Sequence, residues 1–133
     1  MQPIITGATF PILEIALDPG ERVAAETGGL AWMTADIEMS TAIQRPGAHG
    51  FIGAIVRAFG GGGVFITDFI ARSAPGTVAF AAKAPGVIIP VEVKLGRAVL
   101  VHRHGFLCGT EGVVVGAGFP RRLARACSVV WVS

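Results

Sequence analysis

Two histidines and a glutamate carry the sharpest chemical signal in the chain, in the pattern Gly96-x5-His102-x-His104-x6-Glu111-x6-Gly118. Residues two apart on a β-strand project from one face, so the imidazoles of His102 and His104 can ligate one divalent ion while Glu111 returns from the following strand. Three protein ligands would leave coordination positions for water or substrate. A blander reading competes. Gly105 interrupts the strand and puts His104 in a turn, and His49 is the only other histidine, so both imidazoles then serve as surface polar groups of a hairpin. The expectation is therefore no metal and no other cofactor, with His102, His104 and Glu111 kept as the alternative: a divalent-metal protein or enzyme.

Other chemistries find less support. Glycines 60–63 lack the Lys-Ser/Thr pair that holds phosphate and magnesium, and strand-like residues follow them, so the run reads as a flexible connection. None of Ser40, Ser73, Ser128 and Ser133 sits in Gly-x-Ser-x-Gly, and neither Cys108 nor Cys127 has a histidine beside it. No activated nucleophile is expected. Glu14, Glu21 and Glu26 fall on or beside the first expected hairpin, where solvated faces and turns account for them. Arg97, Arg103, Arg121, Arg122 and Arg125 gather late in the chain, but single-stranded nucleic acid is held by basic side chains interleaved with exposed aromatics. There is no tyrosine, and most phenylalanines sit in apolar runs. The chain is expected to be neither an enzyme nor a nucleic-acid binder.

The elements that would position these residues are short. Ile12–Leu17 reads as a strand leading into Asp18-Pro19-Gly20, where proline pre-sets its φ and Gly20 supplies the positive φ that follows. A hairpin to a strand at Arg22–Glu26 is implied. Gly28-Gly29 separates that strand from Leu30–Met33, and further strands are expected at 64–70, 77–81, 87–95, 98–102 and 112–115. Turns recur at Pro19-Gly20, Pro46-Gly47, Pro75-Gly76 and Pro85-Gly86, with Gly96 and Gly105 bracketing the strand at 98–102. That is the punctuation of a sandwich or barrel. Only 50–59 has helical spacing, through Phe51, Ile55 and Phe59. Sliding the chain by 76 positions lays Gly20-x-x-Val23-x-x-Glu26-x-x-Gly29-Leu30 over Gly96-x-x-Val99-x-x-His102-x-x-Gly105-Phe106. The same hairpin is expected twice, about a pseudo-symmetry axis.

The stretch 17–33 (LDPGERVAAETGGLAWM) resembles the opening hairpin of the altered-inheritance-of-mitochondria protein 24 family. Stretches 60–69 (GGGGVFITDF), 84–86 (APG) and 104–108 (HGFLC) resemble that family's later landmarks in the right order, so the resemblance covers roughly residues 10–119. It implies an all-β fold similar to the tryptophan RNA-binding attenuator protein, a pseudo-symmetric sandwich or barrel of short strands and hairpins that tends to form rings or trimers. It implies no reaction and brings no agreed catalytic residues. The histidine pattern is separately similar to the first cupin motif, but its gap to Glu111 is longer than cupins use and no second motif follows.

Residues 120–133 (PRRLARACSVVWVS) depart from the family, whose members continue with glycine-punctuated strands. Two readings of this basic tail stay open. Codons that could encode 124–132, read one frame over, spell a glycine-rich segment of the kind the family carries there, or the chain is a short paralogue with 129–132 as a last edge strand. Either way, 1–119 is expected to be one β domain, incomplete relative to the family, and 120–133 an atypical end.

Composition agrees with a single β domain. The 133 residues are 52% hydrophobic and 15% charged, which excludes a disordered chain. The 19 glycines and 8 prolines interrupt every apolar run before the roughly 18 residues that a membrane-spanning helix needs. Residues 1–40 hold six acids against Arg22 alone, whereas 41–133 hold ten bases against three acids. Such a division can orient self-association or attract an anionic surface, although interleaving the two segments would mix it. Cys108 and Cys127 stand outside any C-x-x-C pair and no secretory signature precedes them, so the reducing cytoplasm is expected. So apolar a chain should keep surface patches for partners. The expected role is a homo-oligomeric scaffold or binding module, a trimer or larger, with association at a membrane surface left open and any protein partner unspecified.

Overall fold

The computed structural model describes residues 1–41, 66–93, 99–102, 104–111, 113 and 130–132, with Thr27, Thr41 and 130–132 described by backbone alone. Ten strands occur among them: β1 (Gln2–Thr6), β2 (Ile12–Leu17), β3 (Arg22–Glu26), β4 (Leu30–Met33), β5 (Ile37–Thr41), β6 (Ile66–Ala71), β7 (Gly76–Ala81), β8 (Ile89–Pro90), β9 (Phe106–Thr110) and β10 (Val130–Val132). They form a four-stranded sheet in the order β1-β2-β7-β4 and a six-stranded sheet in the order β5-β6-β3-β9-β10-β8. Every ladder is antiparallel except those of β10, which runs parallel to both β9 and β8. No α-helix occurs among the described residues. The fold is all-β, as the sequence predicts.

Alternation decides which face each strand buries. In β2, Leu13, Ile15 and Leu17 are buried while Ile12, Glu14 and Ala16 are less so, which is the period-two pattern of a half-covered strand. β7 answers with Val78 and Phe80, and the other sheet contributes Val23, Ala25, Ile37, Phe69 and Cys108 to the same core cluster. Phe69 of the six-stranded sheet meets Phe80 of the four-stranded sheet edge to face, with ring centroids 5.3 Å apart. The two sheets are therefore the halves of one sandwich, and aromatic pairs of this geometry add to simple burial.

Asp18-Pro19-Gly20 is a turn, but not a hairpin turn. The Glu21 N–H donates to the Asp18 carbonyl at 2.9 Å and Gly20 has φ +88°, the type II geometry that only glycine enters without strain. The strands it joins belong to different sheets: β2 pairs with β1 and β7, β3 with β6 and β9. The Gly20 N–H donates instead to the Ala71 carbonyl at 2.7 Å, and the Ala71 N–H to the Glu21 carbonyl at 3.1 Å, so the turn is an arch between the layers, tied to the end of β6. The hairpin that does form among the described residues is β1 with β2, joined through Gly7 at φ +94°, and β5 pairs antiparallel with β6.

The other turns divide. Gly28-Gly29 lies in a 3-10 turn (Thr27–Gly29) before β4, and Pro85-Gly86 lies in an exposed bend whose Gly86 N–H reaches the Thr9 carbonyl at 3.0 Å. Pro75-Gly76 is not a turn of that kind. Gly76 is the first residue of β7, paired with Leu17, and a Cβ on it would come within 2.6 Å of the buried Ile37 Cδ1. Close approach of the β5 side chain, not a positive φ, calls for glycine there.

Strand expectations at Ile12–Leu17, Arg22–Glu26 and Leu30–Met33 match the observed bounds, and 64–70 and 77–81 correspond to β6 and β7. The strand expected over 87–95 shortens to Ile89–Pro90. Residues 99–102 belong to no strand, and the turn that follows them leads into β9, which the pattern did not single out. The repeat at 76 residues is thus partial. Gly29 and Gly105 each precede a strand, β4 and β9, but β3 has no strand counterpart at 99–102. Val130–Val132 is a strand, yet an internal one between β9 and β8 and not an edge. The helix expected over 50–59, the linker 60–63, Pro46-Gly47, Gly96 and the late arginines lie outside the described residues, as does all of 112–115 except Val113.

Candidate functional site

The histidine turn and the outer face of the six-stranded sheet hold the chemistry-bearing side chains. His102 and His104 are both exposed, their ring centroids 5.3 Å apart. The Gly105 N–H donates to the His102 carbonyl at 2.7 Å, which closes a β-turn and places His104 at its corner. The His104 backbone N–H approaches His102 Nδ1 at 3.3 Å, so that nitrogen already faces a donor. The structure brings the two imidazoles together.

Glu111 is at the far end of the intervening strand. β9 separates it from the turn, and five residues at about 3.3 Å each hold the two ends roughly 13 Å apart between first and last Cα. At its own end Glu111 Oε1 lies 3.1 Å from Arg22 Nη2, next in register to the Val23–Thr110 pair. The three expected ligands therefore do not converge. No group of three or more His, Cys, Asp or Glu side chains among the described residues is arranged to hold a metal ion. The divalent-site alternative finds no support among the described residues, because both histidines precede β9 and the glutamate follows it.

The outer face also carries a buried acid that sequence reasoning missed. Asp68 stands on β6 between Ser40 of β5 and Ala24 of β3, on the face opposite Phe69, and is only 6% exposed. Burial raises its pKa above the usual carboxylate value, Arg22 pulls the other way, and Glu111 adds to the rise. A visible signal existed: Asp68 is the single charged residue of a strand in which Thr67 is the only other polar side chain. Around it, Glu26 pairs with Lys83 and Glu38 with Arg72, the latter through a second contact of 3.0 Å from Nη2 to Oε1. Cys108 is fully buried opposite Ala25, and desolvation raises its thiol pKa far above the free value, which keeps it protonated and a poor nucleophile.

A family model described as mitochondrial biogenesis AIM24 matches residues 4–129 of the chain. The chain belongs to the AIM24 family. The match takes in all of β2 to β9, strands of both sheets, and stops short of β10. No curated protein matches the chain. Among solved structures, this AIM24 chain is similar to a Streptococcus pyogenes protein known from an X-ray crystal structure. The two share 29% identity with a TM-score of 0.50, over 66% of this chain and 40% of that one. The chain thus spans well under half the length of that neighbour.

Proposed function

We propose that this AIM24-family chain is a non-enzymatic β scaffold or binding module that works as a homo-oligomer, a trimer or larger, in the cytoplasm. One observation carries the reading: large apolar side chains stay in water at the rims of the sandwich although a buried core cluster has formed between the sheets. Ile4 is 61% exposed, Trp32 43% and Ile89 46%, and Ile5, Phe10, Met33, Val99 and Leu100 are exposed as well. Scattered single residues of this kind are ordinary, but runs of them on edge strands are what association covers.

The ionic groups support the same reading. Arg22 with Glu111, Arg72 with Glu38 and Lys83 with Glu26 are structural pairs that tie strands or loops together. Cys108 is buried in the core cluster, where a reduced thiol packs as a small apolar group. The partner is a second copy of the chain, with no nucleic acid; association with a membrane surface is an outcome the same apolar rims would allow. Sedimentation of the full-length protein across a concentration series tests the proposal, and a stable soluble monomer would overturn it.

A further inference from the structure

Around the outer face of the six-stranded sheet, three bases serve four acids among the described residues. β3 puts Arg22, Ala24 and Glu26 on that face, β6 sets Ile70, Asp68 and Ile66 opposite them, and β5 adds Glu38 and Ser40 on the far side of β6. Glu26 is held by Lys83 and Glu38 by Arg72. Arg22 is then the one described base left for both Asp68 and Glu111. Register puts it between them. Arg22 pairs with Ile70 and Asp68 with Ala24, so the two are diagonal neighbours across β3 and β6, a spacing that a long side chain spans. On the other side Val23 pairs with Thr110, and the adjacent Glu111 accepts from Arg22 at 3.1 Å. The ion pair that forms is with Glu111, not with Asp68.

The two carboxyls differ in what they need from Arg22. The Glu111 side chain is 64% exposed, so water solvates it when the guanidinium leaves. Asp68 is 6% exposed, and its ionised form would be a buried charge with no counter-ion among the described residues unless Arg22 came to it. While Asp68 keeps its proton, the observed pairing leaves no charge stranded. Once the proton is lost, Asp68 has the stronger claim. Glu111 also has a mechanical place in the fold. It stands in the turn that leaves β9, where the Val113 N–H donates to the Thr110 carbonyl at 3.2 Å, and its ion pair ties that turn to β3.

We propose that Arg22 is a proton-operated latch, which holds Glu111 while Asp68 carries a proton and moves to Asp68 once that proton has gone to water, untying the turn after β9 from β3. Burial lifts the titration of Asp68 above the ordinary carboxylate value, so the latch is closed on the acid side and opens as pH rises through that titration. It is independent of self-association.

A double-mutant cycle of Arg22→Gln and Glu111→Gln, read by urea unfolding across pH in the unsubstituted and the Asp68→Asn backgrounds of the full chain, tests the latch. In the unsubstituted background the coupling between Arg22 and Glu111 should be lost as pH rises through the titration of Asp68. In Asp68→Asn, whose amide never ionises, the coupling should persist. Any titration of Glu111 itself enters both backgrounds alike and cancels in the comparison. A coupling that falls equally in both backgrounds, or in neither, would overturn the proposal. NMR on the unsubstituted chain reads the same exchange even where Asp68→Asn fails to fold. The Arg22 Nε–H and the Glu111 backbone amide should shift with the midpoint of the Asp68 carboxyl carbon, and an Arg22 signal that stays in place through that midpoint would contradict the latch.

Discussion

The Arg22 guanidinium lies 3.1 Å from the Glu111 carboxylate, bridging β3 and β9 at the end of the ladder away from the histidine turn. That one pair takes the glutamate out of reach of His102 and His104, and it sets the first expectation. Protein purified without an affinity tag should carry less than about one-tenth equivalent of any transition metal, far below single-site occupancy. His102→Ala should change unfolding free energy by no more than about 0.5 kcal/mol, as for other exposed positions. Elemental analysis and denaturant melts check both, and near-stoichiometric metal lost in His102→Ala would contradict the geometry.

The Phe69–Phe80 contact is the central tie between the sheets. Truncating either ring removes its buried area and leaves a cavity between two sheets that cannot fully collapse. Phe80→Ala should cost about 3–5 kcal/mol in urea unfolding. A loss below about 1 kcal/mol, within the range of exposed sites, would mean the sheets do not pack as described.

Gly76 is set by the neighbour it faces. In Gly76→Ala the new methyl would meet Ile37 Cδ1 at 2.6 Å and Cγ1 at 2.9 Å, and overpacking of this kind costs about 1–3 kcal/mol. Ile37→Ala removes both Cδ1 and Cγ1, so the double variant should be more stable than the sum of the single changes predicts. Strict additivity in the double-mutant cycle would rule the clash out.

Asp68 should make stability depend on pH with a definite sign. Its pKa in the folded chain lies above the ordinary value of 3.8, chiefly because burial disfavours the charged form. The folded state then holds the proton more tightly than the unfolded state, so this contribution is complete below the ordinary value and is lost as pH rises through the folded value. Relative to Asp68→Asn, the unsubstituted chain should lose stability as pH is raised from the acid side towards neutrality. Parallel pH profiles for the two proteins would contradict a buried, desolvated carboxyl.

What the sequence made legible follows the strength of its local signals. Ile12–Leu17 is a short apolar run that ends at a turn signal, Gly20 follows a proline, and both were readable because one residue's neighbours decide them. Partner choice was not. Nothing local to Asp18-Pro19-Gly20 distinguishes a hairpin from an arch; the Gly20–Ala71 hydrogen bond, about fifty residues apart in sequence, decides it. Pro75-Gly76 misled for the same reason, since the need for glycine there comes from Ile37 on another strand. The histidine pattern was legible as far as the turn that joins His102 to Gly105, and failed at Glu111, whose position depends on β9 being a full strand. Asp68 was overlooked because a lone acid in an apolar run reads as a solvated face until the burial of that face is known.

Self-association is the central claim, and the mass of the full-length chain in solution tests it most directly. Sedimentation equilibrium at micromolar concentration, with native mass spectrometry on the same sample, should return three copies or more. A soluble, folded monomer that persists across the whole concentration range would contradict the account.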